Sequence, residues 1–171
     1  WGLFQLKYLP ERHKNTKIPI NPYDGTAGKS NDPNTWSTFD EALRQLSKID
    51  RADGLAFYFA NGYVGLDVDG IETELKDYFN NSANLVYDIQ QMTKNSYREI
   101  SQSGKGIHVI FKGKIPGHRR RKGQFEMYQT GRFFALTGNT MEENMSVKSL
   151  NENEMKALYE YLFGKDKVIS L

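Results

Sequence analysis

The sequence predicts an α+β protein. Three observations carry that reading. The first 35 residues are polar and punctuated by Pro10, Pro19, Pro22 and Pro33, which favours short strands and loops over a helix. Strand-like runs flank Asn61-Gly62. Helical patterns are interspersed among the strand-like runs with no regular β-α-β alternation.

Taken in order, Thr38-Phe39-Asp40-Glu41 is a capping-box pattern, and Phe39, Ala42, Leu43 and Leu46 follow at helical spacing. A helix over about 38–48 is expected. Residues 54–60 and 63–69 read as strands. Asn-Gly between them is a type I′ hairpin signal, because both turn positions need positive φ. Helical patterns span about 72–92 with a break near Asn80 and Asn81. Short strands are expected at 97–101, 106–112, 124–128 and 133–137, the second and third joined by a basic loop. A last helix starts near Asn151, with Glu154 three residues on and Met155, Leu158, Tyr159 and Leu162 on one stripe.

A chain of 171 residues is most simply one domain, expected over 1–171, and buries roughly 70% of its unfolded surface. Aromatics make up 13%, suited to a packed interior or to exposed stacking surfaces. The net charge of +2 is too small to imply nucleic acid by itself, so local charge has to decide. With no cysteine there is no disulfide and no thiolate zinc site, and no zinc is expected. No stretch approaches the roughly 20 apolar residues of a membrane span, so no membrane partner is expected. The chain opens on Trp1 rather than Met, and the expectation is a piece of a longer protein.

Three segments carry chemistry. In Val64-Gly65-Leu66-Asp67-Val68-Asp69 the alternation of a strand puts Asp67 and Asp69 on one face and Leu66 and Val68 on the other. Two adjacent carboxylates repel, and a hard divalent cation with oxygen preference relieves that repulsion. The same pattern alone also describes an exposed strand end with two solvated acids. Ser101-Gln102-Ser103-Gly104-Lys105-Gly106-Ile107-His108 combines glycines that can aim N–H groups at an anion with the donors of Ser101, Ser103 and Lys105. It lacks P-loop spacing. His108 falls opposite the apolar face of Ile107, Val109 and Phe111; the alternative is a glycine-rich turn with a surface histidine. Glu126 lies between Phe125 and Met127 and becomes a metal-ligand candidate only beside Asp67 and Asp69.

Two further groups are basic. Lys112, Lys114, Arg119, Arg120, Arg121 and Lys122 occur without an intervening acid, with His118 among them. Such a loop can hold phosphates in a salt-sensitive way, or be simply solvated. Arg132 stands beside Phe133 and Phe134, a combination suited to a base or a phosphate.

In combination these segments resemble the archaeo-eukaryotic primase superfamily, and within it the primase-polymerase domains of phages and plasmids. The matching motifs are Gly65-Leu66-Asp67-Val68-Asp69, then Ser103-Gly104-Lys105-Gly106-Ile107-His108, then Phe125-Glu126-Met127-Tyr128 with Arg132-Phe133-Phe134 and Thr137-Gly138. Lys17-Ile18-Pro19 through Asp32-Pro33-Asn34-Thr35-Trp36 is similar to the N-terminal part of the same group. The resemblance covers most of residues 15–138.

It implies a primase-like catalytic core of two α/β units, one with an RRM-like sheet, and the active site between them. It implies templated nucleotidyl transfer that starts or extends strands on single-stranded DNA from nucleoside triphosphates. By the same resemblance Asp67, Asp69 and Glu126 hold two Mg²⁺ or Mn²⁺ ions, and His108 contacts the triphosphate. Ser101, Ser103, Lys105 and Gly106 line the phosphate cradle with Arg132, while Arg119, Arg120, Arg121 and Lys122 face the nucleic acid. Relatives often carry a zinc-binding element that this cysteine-free chain cannot build. They also continue into a helical segment and a helicase, which makes a helicase the expected partner domain or subunit. A monomer or a part of a larger replication assembly, in the cytoplasm of a bacterial cell or infected host, is the implied setting. A non-catalytic single-stranded nucleic-acid-binding module and a metal-dependent nuclease are the rival readings.

Overall fold

The computed structural model describes residues 1–165. They form two compact units: Trp1–Phe59 with Thr130–Thr137, and Ala60–Gln129 with the residues from Gly138 onward. Each unit is built on its own antiparallel sheet, so the fold is mixed α+β. Residues 166–171 of the expected single domain lie outside the described residues.

The first unit carries a four-stranded sheet in the order β2-β1-β3-β9. Its strands are β1 (Gly2–Leu9), β2 (Lys14–Ile20), β3 (Gly54–Tyr58) and β9 (Phe133–Ala135). The prolines that argued against a helix take up roles a sheet tolerates. Pro10 opens the single 3-10 turn between β1 and β2, and Pro19 lies in β2, an edge strand whose missing N–H disturbs no interior ladder. Helix α1 (Phe39–Leu46) starts where the capping pattern placed it, with Thr38 Oγ1 accepting from the Glu41 N–H at 3.3 Å. Alternation along β1 splits the core. Leu3 joins Ile20 and Ala42, while Phe4 joins Ala56 and Ala135. At Gly54 a β-carbon would sit 2.7 Å from the Phe4 ring, so a glycine is what lets that ring lie flat on β3.

The second unit carries a five-stranded sheet in the order β5-β6-β4-β8-β7. Its strands are β4 (Tyr63–Val68), β5 (Arg98–Ile100), β6 (Ile107–Lys112), β7 (Arg121–Lys122) and β8 (Phe125–Tyr128). Helices α2 (Glu72–Phe79), α3 (Leu85–Met92) and α4 (Glu152–Phe163) cover one face. Val64, Leu66 and Val68 of β4 and Ile107, Val109 and Phe111 of β6 pack there with Leu75, Ile89, Leu158 and Phe163, all buried. Asn151 and Glu154 form the capping box expected at α4. The break between α2 and α3 includes Asn81 with φ of 63°, and Asn84 caps α3.

One expectation is corrected. Asn61 and Gly62 do take positive φ, 54° and 82°, and the Tyr63 N–H closes the turn on the Ala60 carbonyl at 3.1 Å. Yet the runs on either side do not pair with each other: β3 pairs with β1 and β9, whereas β4 pairs with β6 and β8. The turn chemistry is local and was readable, but pairing is a contest among all apolar edges, and each run found longer-range partners. The basic loop also contains structure that was not anticipated. Gly123, with φ of 57°, makes the two-residue turn between β7 and β8.

Candidate active site

Strand β4 lies at the centre of its sheet, between β6 and β8. Because Leu66 and Val68 are committed to the helix-covered core, Asp67 must face the other way. The register then builds a row across all five strands. Glu99 of β5 stands opposite His108 of β6, His108 opposite Asp67, Asp67 opposite Glu126 of β8, and Glu126 opposite Arg121 of β7.

The row grades from interior to solvent. Glu99 is 0% exposed and His108 2%. The Asp67 and Glu126 side chains are each 24% exposed, and Arg121 is 74% exposed. His108 Nδ1 lies 3.0 Å from Glu99 Oε1, and its Nε2 lies 3.8 Å from Asp67 Oδ1. Glu99 Oε2 accepts from the Tyr97 hydroxyl at 2.7 Å and from the Gly138 N–H at 3.0 Å. Burial first, and then the hydrogen bond to the charged Glu99, push the Tyr97 hydroxyl well above its ordinary pKa. At the other end Glu126 meets Arg121 Nε at 2.8 Å and the Tyr128 hydroxyl.

Asp69 sits one residue past β4 and is exposed, and its N–H still ladders to the Gln124 carbonyl at 3.0 Å. The Ser-Gly-Lys-Gly loop connects β5 to β6. The Ser101 N–H closes it on the Gly106 carbonyl at 2.9 Å, and Gly104 turns with φ of 73°. Ser101 Oγ and Ser103 Oγ are 3.2 Å apart, Ser103 Oγ accepts from the Lys105 N–H, and Lys105 Nζ is 3.8 Å from Glu72 Oε1. Gly106 places the loop. A β-carbon there would lie 2.1 Å from the Val68 carbonyl oxygen and 3.1 Å from Asp69 Oδ1. Only hydrogen at this position lets the loop rest on the backbone that presents the two aspartates. The Lys105 carbonyl accepts from the Ile71 N–H at 2.9 Å and ties the same loop to the start of α2.

The structure therefore gathers Asp67, Asp69, Glu126, His108, Ser101, Ser103, Lys105 and Gly106 in one unit. His108 is not a surface residue but a buried one. Arg132 belongs to the other unit, exposed just before β9, with its carbonyl accepting from the Phe59 N–H at 3.1 Å. The basic segment is anchored at several points. Arg119 Nη1 donates to the Phe163 carbonyl at the end of α4, and Lys122 Nζ reaches the same oxygen at 3.4 Å. Arg120 Nη1 donates to the Gly117 carbonyl at 2.7 Å, and Arg121 holds Glu126. Two cations at the C-terminal end of a helix are where its macrodipole favours them.

Glu99 was missed as a site residue. Its signal was there: in Tyr97-Arg98-Glu99-Ile100 two opposite charges are neighbours in a strand, so they must point to opposite faces. Both are fully buried. Arg98 turns away from the row, into the helix side, where its guanidinium meets Glu142 Oε1 at 2.9 Å and Asn95 Oδ1 at 2.9 Å.

The class of site is one of hard oxygen donors in register beside a glycine-rich loop with hydroxyl and ammonium groups, on the face of an antiparallel sheet opposite its helices. Comparison with known proteins gives the relationship. The chain is 33% identical over 150 residues to a DNA primase-polymerase of Nitratiruptor phage NrS-1, an alignment covering 82% of this chain. The chain spans about a fifth of that relative's length, 20%. No family model matches the sequence. No helix among the described residues is long and apolar enough to cross a membrane.

Proposed function

We propose that this chain is the catalytic module of a DNA primase-polymerase, joining nucleotides from nucleoside triphosphates on a single-stranded DNA template. One observation carries the reading. In the row Glu99, His108, Asp67, Glu126, Arg121 two carboxylates, Asp67 and Glu126, stand directly opposite each other on adjacent strands. Like charges in register destabilise a sheet, and a divalent cation shared by the two carboxylates would relieve that repulsion. The phage relative supports the same activity class.

Among the described residues, no three acidic or imidazole side chains as they stand already enclose a metal position. The donor set nevertheless fits Mg²⁺ or Mn²⁺ in kind. Asp67 and Glu126 are oxygen ligands in register, Asp69 follows two residues on, and all are partly or well exposed. Bound there, two such ions lower the pKa of an attacking 3′-hydroxyl and neutralise charge on departing pyrophosphate. Asp67, Asp69 and Glu126 would hold them, with Arg121 giving up its pairing with Glu126. Ser103, Lys105 and the loop N–H groups bind the triphosphate, with Ser101 shaping the loop from inside and His108 offering Nε2 toward the same face. Arg119, Arg120, Arg121 and Lys122 border the template path, and Arg132 adds a phosphate or base contact. Primer synthesis, strand extension or both are the outputs of such a site in phage- or plasmid-type replication, with a helicase as the natural partner.

The test is incorporation of labelled nucleotides on a primed template, with Mg²⁺ or Mn²⁺ supplied. Wild type should extend the primer and the Asp67→Ala/Asp69→Ala double variant should not. Equal incorporation by the two proteins refutes the polymerase reading. Cleavage of the template without nucleotides would replace it with the nuclease. A parallel reaction without primer separates initiation from extension.

A further inference from the structure

We infer that Glu99 is a positioning residue of this site, acting through His108. The inference rests on the primase-polymerase reading for its consequence, but its geometric claim stands apart from that reading. Glu99 and His108 are cross-strand partners, and both are buried. A carboxylate with no exposure is costly unless each oxygen is satisfied. Here Glu99 Oε1 takes the imidazole Nδ1 at 3.0 Å, while Oε2 takes the Tyr97 hydroxyl at 2.7 Å and the Gly138 N–H at 3.0 Å. Three acceptor bonds come from three separate places in the chain: β6, the residue before β5, and a glycine after β9. The carboxylate can therefore neither rotate nor shift without losing one of them.

The consequence falls on the ring. The contact between Nδ1 and Glu99 fixes the ring plane, and Nε2 is the atom left facing Asp67, 3.8 Å away. That is the direction in which the acids and the Ser-Gly-Lys-Gly loop lie. A histidine meant to meet a triphosphate oxygen needs that orientation set before the ligand arrives, because ordering it afterwards would weaken binding. The same arrangement gives Thr137-Gly138 a physical role. Gly138 has φ of 68°, a backbone conformation that β-carbons disfavour, and in it the N–H reaches Glu99.

Only a carboxylate serves all three donors. In Glu99→Gln one end of the side chain becomes an NH₂; toward the Gly138 N–H it sets donor against donor, and toward His108 it can meet Nδ1 only if the ring proton moves to Nε2. The substitution keeps the volume, so the fold should persist while Nδ1 no longer donates to a carboxylate. Two measurements on the whole chain test this. In ¹⁵N-labelled protein, the His108 Nδ1 proton should give a slowly exchanging resonance that Glu99→Gln abolishes and Tyr97→Phe weakens. A missing resonance in wild type, or an unchanged one in Glu99→Gln, overturns the anchoring. The second measurement is the affinity for a non-hydrolysable deoxynucleoside triphosphate with Mg²⁺. Glu99→Gln should weaken it about 10- to 100-fold, the scale of a misplaced binding group. Added to His108→Ala, it should weaken it no further. An equal loss in both backgrounds means that Glu99 does not act through His108 and refutes the inference. A wild type that incorporates no nucleotide yet shows the His108 resonance, lost in Glu99→Gln, refutes the proposed function and leaves the anchoring in place.

Discussion

Gly106→Ala isolates the contact that joins the Ser-Gly-Lys-Gly loop to the aspartate strand. The added methyl would sit 2.1 Å from the Val68 carbonyl oxygen and 3.1 Å from the Asp69 Cα. Ordinary contacts to carbon lie at about 3.5–4 Å, so the loop has to retreat by about 1 Å or more. The obstructing atoms are backbone in the central strand and cannot swing aside. Retreat would stretch the pairing of the Ser101 N–H with the Gly106 carbonyl and of the Ile71 N–H with the Lys105 carbonyl, each 2.9 Å. Overpacking of this kind costs about 1–3 kcal/mol. For a chain of this size that is a Tm lower by about 2–4 °C per kcal/mol, read by thermal denaturation. Nucleotide use should fall further than stability, by about 100-fold in kcat/KM, because displacement on this scale spoils alignment. Gly104→Ala is the control. Its β-carbon meets nothing within 4 Å, and only its φ of 73° resists the change. It should cost about 1–2 kcal/mol with little effect on the aspartates. A Gly106→Ala protein with unchanged Tm and unchanged kcat/KM refutes the claim that this contact sets the site.

Two further outcomes concern the frame around the site. Arg119→Ala should lower stability by about 1 kcal/mol, because it removes a charged donor from the Phe163 carbonyl at the end of α4; denaturant titration reads this directly, and an unchanged midpoint would mean that the contact does not support the helix end. Tyr58→Phe should stabilise the first unit by about 1 kcal/mol, because the buried Tyr58 hydroxyl has no hydrogen-bond partner among the described residues. Burial pushes that hydroxyl up to about 12, so the unfolded chain ionises first and wild type loses stability as pH rises from 10 toward 12. Melting curves across that window should slope less steeply for Tyr58→Phe, and parallel curves would contradict the assignment.

Much of this architecture was legible because it is local. Thr38, Asn151 with Glu154, and the break at Asn80 and Asn81 act within a few residues of themselves, and each lies where its chemistry placed it. Alternation correctly put Asp67 opposite Leu66 and Val68. What could not be read was register. That Asp67 faces Glu126 depends on which strand lies beside β4, and the same uncertainty turned the Asn61-Gly62 turn into an expected hairpin. Glu99 escaped notice for this reason, since a glutamate in a short strand reads as solvent-facing until a histidine nine residues later becomes its cross-strand partner. The basic segment holds contacts that one dimension does not show: Arg119 and Lys122, expected to face nucleic acid, also meet the end of a helix whose position no local pattern reveals.

The grading of exposure along the row is itself an argument about what each position does. A pair meant only to stabilise the sheet gains nothing from full burial, because removing two ionisable groups from water costs several kcal/mol per ion before any bond is counted. Glu99 and His108 are nevertheless enclosed, and three donors are arranged to make that tolerable. Asp67 and Glu126, one strand further along, keep about a quarter of their surface open, as groups that exchange ligands must. If the acids were decoration, the sheet would lower its energy by separating them, as it does at the outer step where Arg121 stands opposite Glu126. The like-charged step at the centre of the sheet is a local cost against the fold. Such costs are found where function requires them, and this like-charged step, beside an imidazole held by Glu99, is the ground on which the proposed site rests.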